Sequence, residues 1–191
     1  MRALRLTLGD DTGRWILSHH SEAYCEWPLT VHDDVAGHYV IDRTFVDDAG
    51  IRWIIDYKTG RTVSNDGWFD ERLTEPQLPL YCVDNPAPVS AALLARVRND
   101  QTGCRYVGLS SDDAFAPGVA TPDQISGLDW DQTLARWQGA LADLAGEIMD
   151  GRSDPTPSPQ TCEYCPLGAL CRVRQTGNGA ATQVTGQTAV T

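Results

Sequence analysis

Apolar and polar positions alternate most clearly in the middle of the chain. His38-Tyr39-Val40-Ile41-Asp42-Arg43-Thr44-Phe45-Val46 is rich in β-branched and aromatic residues, as is Ile51-Arg52-Trp53-Ile54-Ile55-Asp56-Tyr57-Lys58. Between them, Asp47-Asp48-Ala49-Gly50 supplies turn chemistry, so the two runs predict a β-hairpin. Ala91 to Val97 and Arg105 to Leu109 predict two further strands joined by a turn over 99–103. Trp130, Leu134, Trp137, Leu141, Leu144 and Ile148 recur at steps of four, three, four, three and four, the signature of an amphipathic helix with both tryptophans in the core. Glu75 to Val83 predicts a helix with Pro76 in its first turn and a distortion at Pro79. The first thirty residues give mixed signals: Arg14 to Leu17 reads as a short strand or a helix end, and Trp27 to Val31 as extended. Residues 60–74 and 111–127 read as polar loops, and Asp154-Pro155-Thr156-Pro157-Ser158-Pro159 as a stiff connector.

Length and composition fit one soluble domain, with 191 residues and a hydrophobic fraction of 41%. No apolar run approaches the roughly 20 residues of a membrane span, and no signal-peptide pattern opens the chain, which together predict a cytoplasmic protein. A net charge of −11 counts against a broad non-specific grip on DNA phosphates, although it says nothing about how charge is distributed. Six cysteines without an export signal point to metal ligation before disulfides.

The chemistry concentrates at the end of the second hairpin strand. Alternation along a strand puts Asp56 and Lys58 on one face with Ile54, and Trp53, Ile55 and Tyr57 on the other. A hairpin brings Asp42 near Asp56, and two converging carboxylates make a hard oxygen site suited to Mg²⁺ or Mn²⁺. A lysine beside them could orient a water or stabilise charge building on phosphorus. The plainer reading of the triplet alone is a solvated strand end, since exposed charge is the default.

The arrangement of three elements changes that reading. Gly37-(x4)-Asp42-Arg43, then Trp53-Ile54-Ile55-Asp56-Tyr57-Lys58-Thr59-Gly60, then Gln77-Leu78-Pro79-Leu80-Tyr81, resembles the RecB/AddB-like exonuclease domain of the PD-(D/E)XK nuclease superfamily. The likeness runs from about residue 14 to 174. It implies an α/β, restriction-endonuclease-like fold: a central mixed sheet flanked by helices, with a C-terminal Cys-rich lobe. It implies that Asp42, Asp56 and the backbone carbonyl of Tyr57 hold the metal, that Lys58 is the catalytic lysine, and that Gln77 and Tyr81 order the active site and the DNA strand. The activity implied is exonucleolytic hydrolysis of DNA in double-strand-break repair, often beside a helicase; a non-catalytic DNA-binding or structural module of a helicase–nuclease complex is the alternative. Many members carry an upstream Gly-x-x-x-His helix that nothing before Asp42 reproduces, so the chain reads as having begun after that helix. His19 and His20 lack its context, and Glu26 matches the acidic strand that often precedes the first Asp.

Cys162-x2-Cys165-x5-Cys171 gathers three thiolates within ten residues. By spacing it fits zinc or a four-iron–four-sulfur cluster, each wanting a fourth ligand. The resemblance favours iron–sulfur, since related nucleases end in a similar Cys-x2-Cys-x5-Cys run that pins the domain's two ends together. Cys25, Cys82 and Cys104 are the available fourth ligands, and none sits where the family would place it. The domain is expected over 1–174, with the Cys-rich lobe at 160–174 and a disordered tail at 175–191. A zinc-ribbon interaction domain accounts for the cysteines but leaves the hairpin unexplained.

Overall fold

In a computed structural model of the chain, the described residues are 2–31, 37–98, 104–112, 117–152, 162–163, 165–167 and 170. They fall in two units, Met1–Asp150 and Gly151–Thr191. The first holds a six-stranded mixed sheet in the order β1-β2-β3-β4-β5-β6. Two short helices, α1 (Arg2–Gly9) and α2 (Asp11–Leu17), precede β1 (Ser21–Val31), β2 (Gly37–Val46) and β3 (Arg52–Lys58). Helix α3 (Gln77–Val83) leads to β4 (Ala91–Arg96), β5 (Arg105–Ser110) and β6 (Val119–Ala120), and α4 (Pro122–Ser126) and α5 (Trp130–Met149) follow. β1, β2 and β3 pair antiparallel, β3 and β4 parallel, β4 and β5 antiparallel, and β5 and β6 parallel. The sheet is therefore mixed and flanked by helices, as its sequence predicts.

The predicted hairpin is β2–β3, and Asp47 organises its turn. Its Oδ1 accepts the N–H groups of Ala49 at 3.0 Å and Ile51 at 2.9 Å, and its Oδ2 accepts the Trp53 indole N–H at 2.8 Å. Gly50 takes φ +82°, a conformation costly to any residue with a Cβ. The parallel β3–β4 step needs a crossover, and α3 lies within it. Pro79 does not distort α3. It occupies the third helical position, where no intrahelical partner for its nitrogen is needed, and the first backbone bond runs from Leu80 N–H to Pro76 O at 2.9 Å.

Two apolar clusters cover the two faces of the sheet. Ile54, Leu94 and Leu109 on one face join Trp68, Leu78, Tyr81, Trp130 and Trp137, so α3 and α5 pack there. Trp53, Ile55, Leu93 and Ala95 on the other join Ile16 of α2, Phe45 and Tyr106. Trp137 is fully buried, donates to Trp68 O at 2.9 Å and packs edge-on to Trp68 and Trp130. The predicted α5 stripe holds through Leu144 and ends there, because Ile148 is 68% exposed beyond the sheet's cover. Arg14–Leu17 is the end of a helix, and the predicted loop at 111–127 contains β6 and α4. The predicted turn at 99–103, the connector 154–159 and the tail 175–191 lie outside the described residues.

In the second unit, Cys162 and Glu163 belong to a helical turn, and Leu170 N–H reaches Leu167 O at 2.9 Å. Cys162 and Cys165 are half-buried. Cys171 lies outside the described residues. Among the described residues no helix is long and apolar enough to cross a membrane.

Candidate active site

The β2–β3 register aligns Arg43 with Ile55 and Thr44 with Ile54. One step further, Asp42 stands across from Asp56. The carboxylate of Asp42 turns to the backbone there: its Oδ2 accepts the Tyr57 N–H at 2.8 Å. Strand β2 also changes face at this point. Ile41 joins the cluster under α3 and α5, whereas Phe45 joins the opposite cluster. Asp42 lies between them, half-exposed between two buried residues and, by the β2–β3 register, on the face of Thr44, Ile54 and Asp56.

Asp56 is 3% exposed, and Lys58, two residues on and so on the same face, reaches it. Lys58 Nζ lies 2.8 Å from Asp56 Oδ2, an ion pair to a buried oxygen. The same ammonium donates to Gln77 Oε1 at 2.8 Å. Gln77 Nε2 donates to the Tyr81 hydroxyl at 3.2 Å, and that hydroxyl donates to Val40 O at 3.1 Å. Four apart on α3, Gln77 and Tyr81 thus lie on one helix face and tie Lys58 on β3 to β2, two residues short of Asp42.

Electrostatics single out Asp56. Burial raises its pKa above the ordinary carboxylate range; the Lys58 ammonium opposes this, and the charges of Asp42 and Glu75 add to it. A nearly buried carboxylate beside a second carboxylate is a candidate ligand for a cation. Tyr57 sends its ring to the other face, where burial pushes its hydroxyl up to about 12. It offers the active-site face only its backbone.

The structure thus brings Asp42, Asp56, Lys58, Gln77 and Tyr81 into one connected group. Among the described residues, no three His, Cys, Asp or Glu side chains gather as a metal-ligand set. His20 is buried against Phe45, with ring centroids 3.9 Å apart, and bonds Trp15 O, a packing role; His19 is exposed. Glu26 is exposed with φ +48°, on the strand beside Asp42. Glu75, two residues before Gln77, was not marked by the sequence motifs, yet its charge acts on Asp56. The only signal for it was an acidic residue at the entrance to the α3 motif.

The three other cysteines are engaged within the first unit. Cys25 is exposed, and its Sγ accepts from Arg43 at 3.2 Å; Cys104 contacts Thr7 Oγ1 at 3.5 Å; Cys82 is buried in the core, where desolvation pushes its thiol up. Cys82 therefore packs in the core, Cys104 is half-buried and Cys25 lies at the surface. A cavity of about 570 Å³ lies between the end of α3, the 85–90 loop and the start of α5. Its lining contains none of the residues of the carboxylate centre.

No curated protein matches the chain. A solved structure described as "Crystal structure of SSO0001" matches with a TM-score of 0.45 and 16% identity, covering 87% of this chain and 67% of that one, a likeness too distant to bear on function. The family model described as the PD-(D/E)XK nuclease superfamily matches residues 32–172, which contain the whole carboxylate–lysine group, and the chain belongs to that superfamily.

Proposed function

We propose that the chain is a Mg²⁺- or Mn²⁺-dependent deoxyribonuclease of the RecB/AddB-like branch, an exonuclease of double-strand-break repair or recombination that works beside a helicase or helicase–nuclease subunit. The observation that carries this reading is the placement of Lys58 Nζ, at 2.8 Å from both Asp56 Oδ2 and Gln77 Oε1. A lysine held between a buried carboxylate and a fixed amide is a positioned cation, not a solvated strand end.

The donor set fits a divalent metal. Asp42 and Asp56 act on one another's charge across the hairpin, and Asp42 commits one oxygen to Tyr57 N–H, leaving the other to ligate. Asp42, Asp56 and the Tyr57 carbonyl would hold the ion. Two carboxylates suit Mg²⁺, which keeps several of its waters. Bound there, the ion would lower the pKa of a water and neutralise the phosphate. Lys58 orients the attacking water and stabilises the charge that builds as water adds to phosphorus and the sugar oxygen leaves. Gln77 fixes the lysine, and Tyr81 fixes Gln77, so the ammonium needs no reorganisation at the moment of reaction.

An exonuclease needs an end. The expected result with Mg²⁺ is degradation of linear DNA while covalently closed circles of the same sequence persist. Equal loss of circles and lines would refute the exonuclease reading and leave an endonuclease.

The absence of a three-residue ligand set among the described residues favours one alternative, a catalytically incomplete module that binds DNA without cutting. Binding without hydrolysis under every divalent metal would establish it.

Cys162, Cys165 and Cys171 are proposed as ligands of a four-iron–four-sulfur cluster, with zinc as the alternative. Their spacing supports this; Cys25, Cys82 and Cys104 each have another role within the first unit. An anaerobic preparation is expected to be brown, to absorb near about 400 nm and to contain iron. A colourless protein carrying zinc would overturn the iron–sulfur assignment.

A further inference from the structure

Tyr24 and Trp27 on β1 stack with ring centroids 5.7 Å apart and planes 23° from parallel. Trp27 packs against the cluster on the Asp56 face, and Tyr24 is 49% exposed. Residues three apart on a regular strand point to opposite faces. Glu26, at φ +48°, lies between these two and breaks the alternation, so both rings reach one face. That is a strained backbone supporting a partly exposed aromatic surface. The register places the surface at the catalytic carboxylate: Tyr24 pairs with Thr44, Cys25 with Arg43 and Trp27 with Ile41, on either side of Asp42. β1 is an edge strand of the sheet.

The positive charges along this edge are already used. Arg43 is buried and donates to Cys25 Sγ and Ser18 O, and Arg52 is paired with Glu22. With these arginines engaged, this edge offers a nucleic acid rings before phosphate contacts. Exposed aromatic rings supply affinity, because every base has a face that stacks.

We propose that the Tyr24–Trp27 pair is a stacking platform for an unpaired nucleobase beside the phosphodiester held at Asp42 and Asp56. This rests on the nuclease reading and narrows its substrate class to DNA with unpaired nucleotides next to the cut. The ring of Tyr24 takes the base, and Trp27, anchored in the core, backs the tyrosine. Binding then depends weakly on salt, and a missing base costs about as much as a missing ring.

The test uses the full chain in Ca²⁺ with a single-stranded oligonucleotide carrying 2-aminopurine, an oligonucleotide of the same sequence with an abasic site there, and a blunt duplex. The wild type is expected to quench the 2-aminopurine. Tyr24→Ala should weaken single-strand binding by about 10- to 100-fold, Tyr24→Phe should restore it, and duplex affinity should stay level. The abasic strand should bind the wild type as weakly as the intact strand binds Tyr24→Ala. Circular dichroism checks that each variant is folded. Equal affinity of Tyr24→Ala and wild type, or equal losses on intact and abasic strands, would overturn the proposal. Stacking without cleavage in Mg²⁺ or Mn²⁺ would defeat the nuclease reading alone; cleavage indifferent to Tyr24 would defeat the platform alone.

Discussion

Replacing Lys58 with alanine is expected to lower metal-dependent DNA cleavage by about 10²- to 10³-fold while the protein stays folded. The side chain is about one-third exposed, so its removal opens no core cavity. What is lost is the cation held between Asp56 and Gln77, which the proposed function assigns to the charge that develops on phosphorus. The variant also removes the ammonium that lowers the pKa of Asp56, so that carboxylate should hold its proton to still higher pH. Cleavage kinetics beside a circular dichroism spectrum separate the effects. Retained cutting in a folded Lys58→Ala protein would sink the role given to this residue.

The second large effect concerns Asp56 and runs in opposite directions for activity and stability. Asp56→Asn should cut no DNA, because a neutral amide is a poor metal ligand. The same variant should be the more stable protein at neutral pH without metal. Burial raises the pKa of Asp56, so the folded state prefers the protonated form. Its favourable contribution is therefore present below the ordinary value of 3.8 and is lost as pH rises through the raised value. Above that value an ionised carboxylate sits in a desolvated place, and asparagine removes the cost at equal size. A gain of about 1 kcal/mol corresponds to roughly 2–4 °C in a chain of this length. Thermal melts in EDTA should show the variant ahead at neutral pH and the two proteins converging in acid. Adding Mg²⁺ should raise the melting temperature of the wild type and not of the variant. A variant less stable than wild type at neutral pH would mean that the Lys58 ion pair outweighs the burial cost.

The β2–β3 hairpin was legible because a β-rich run, an Asp/Gly turn and a second β-rich run are local signals. Helix α5 was legible from its repeat down to Leu144, and Ile148 broke the pattern because exposure there depends on where the sheet ends. Helices α1 and α2 were obscure: at eight and seven residues they are too short for periodicity to declare them. The shared face of Asp56 and Lys58 followed from alternation alone. The convergence of Asp42 with Asp56 followed from the hairpin pairing, whereas the change of face between Phe45 and Ile41 left no sign in the residue order. Gln77 and Tyr81 were recognisable as a motif, but the contact of Gln77 with Lys58 spans 19 residues and belongs to the crossover between parallel strands. Glu75 escaped notice because its effect on Asp56 acts through space.

The most direct measurement is cleavage of end-labelled linear single- and double-stranded DNA in Mg²⁺ or Mn²⁺, with EDTA and an Asp56→Ala protein alongside. Cutting that requires the metal and disappears in the variant is the predicted result. A folded wild-type protein that leaves both substrates intact, or an Asp56→Ala protein that cuts as well as wild type, would contradict the assignment of this centre.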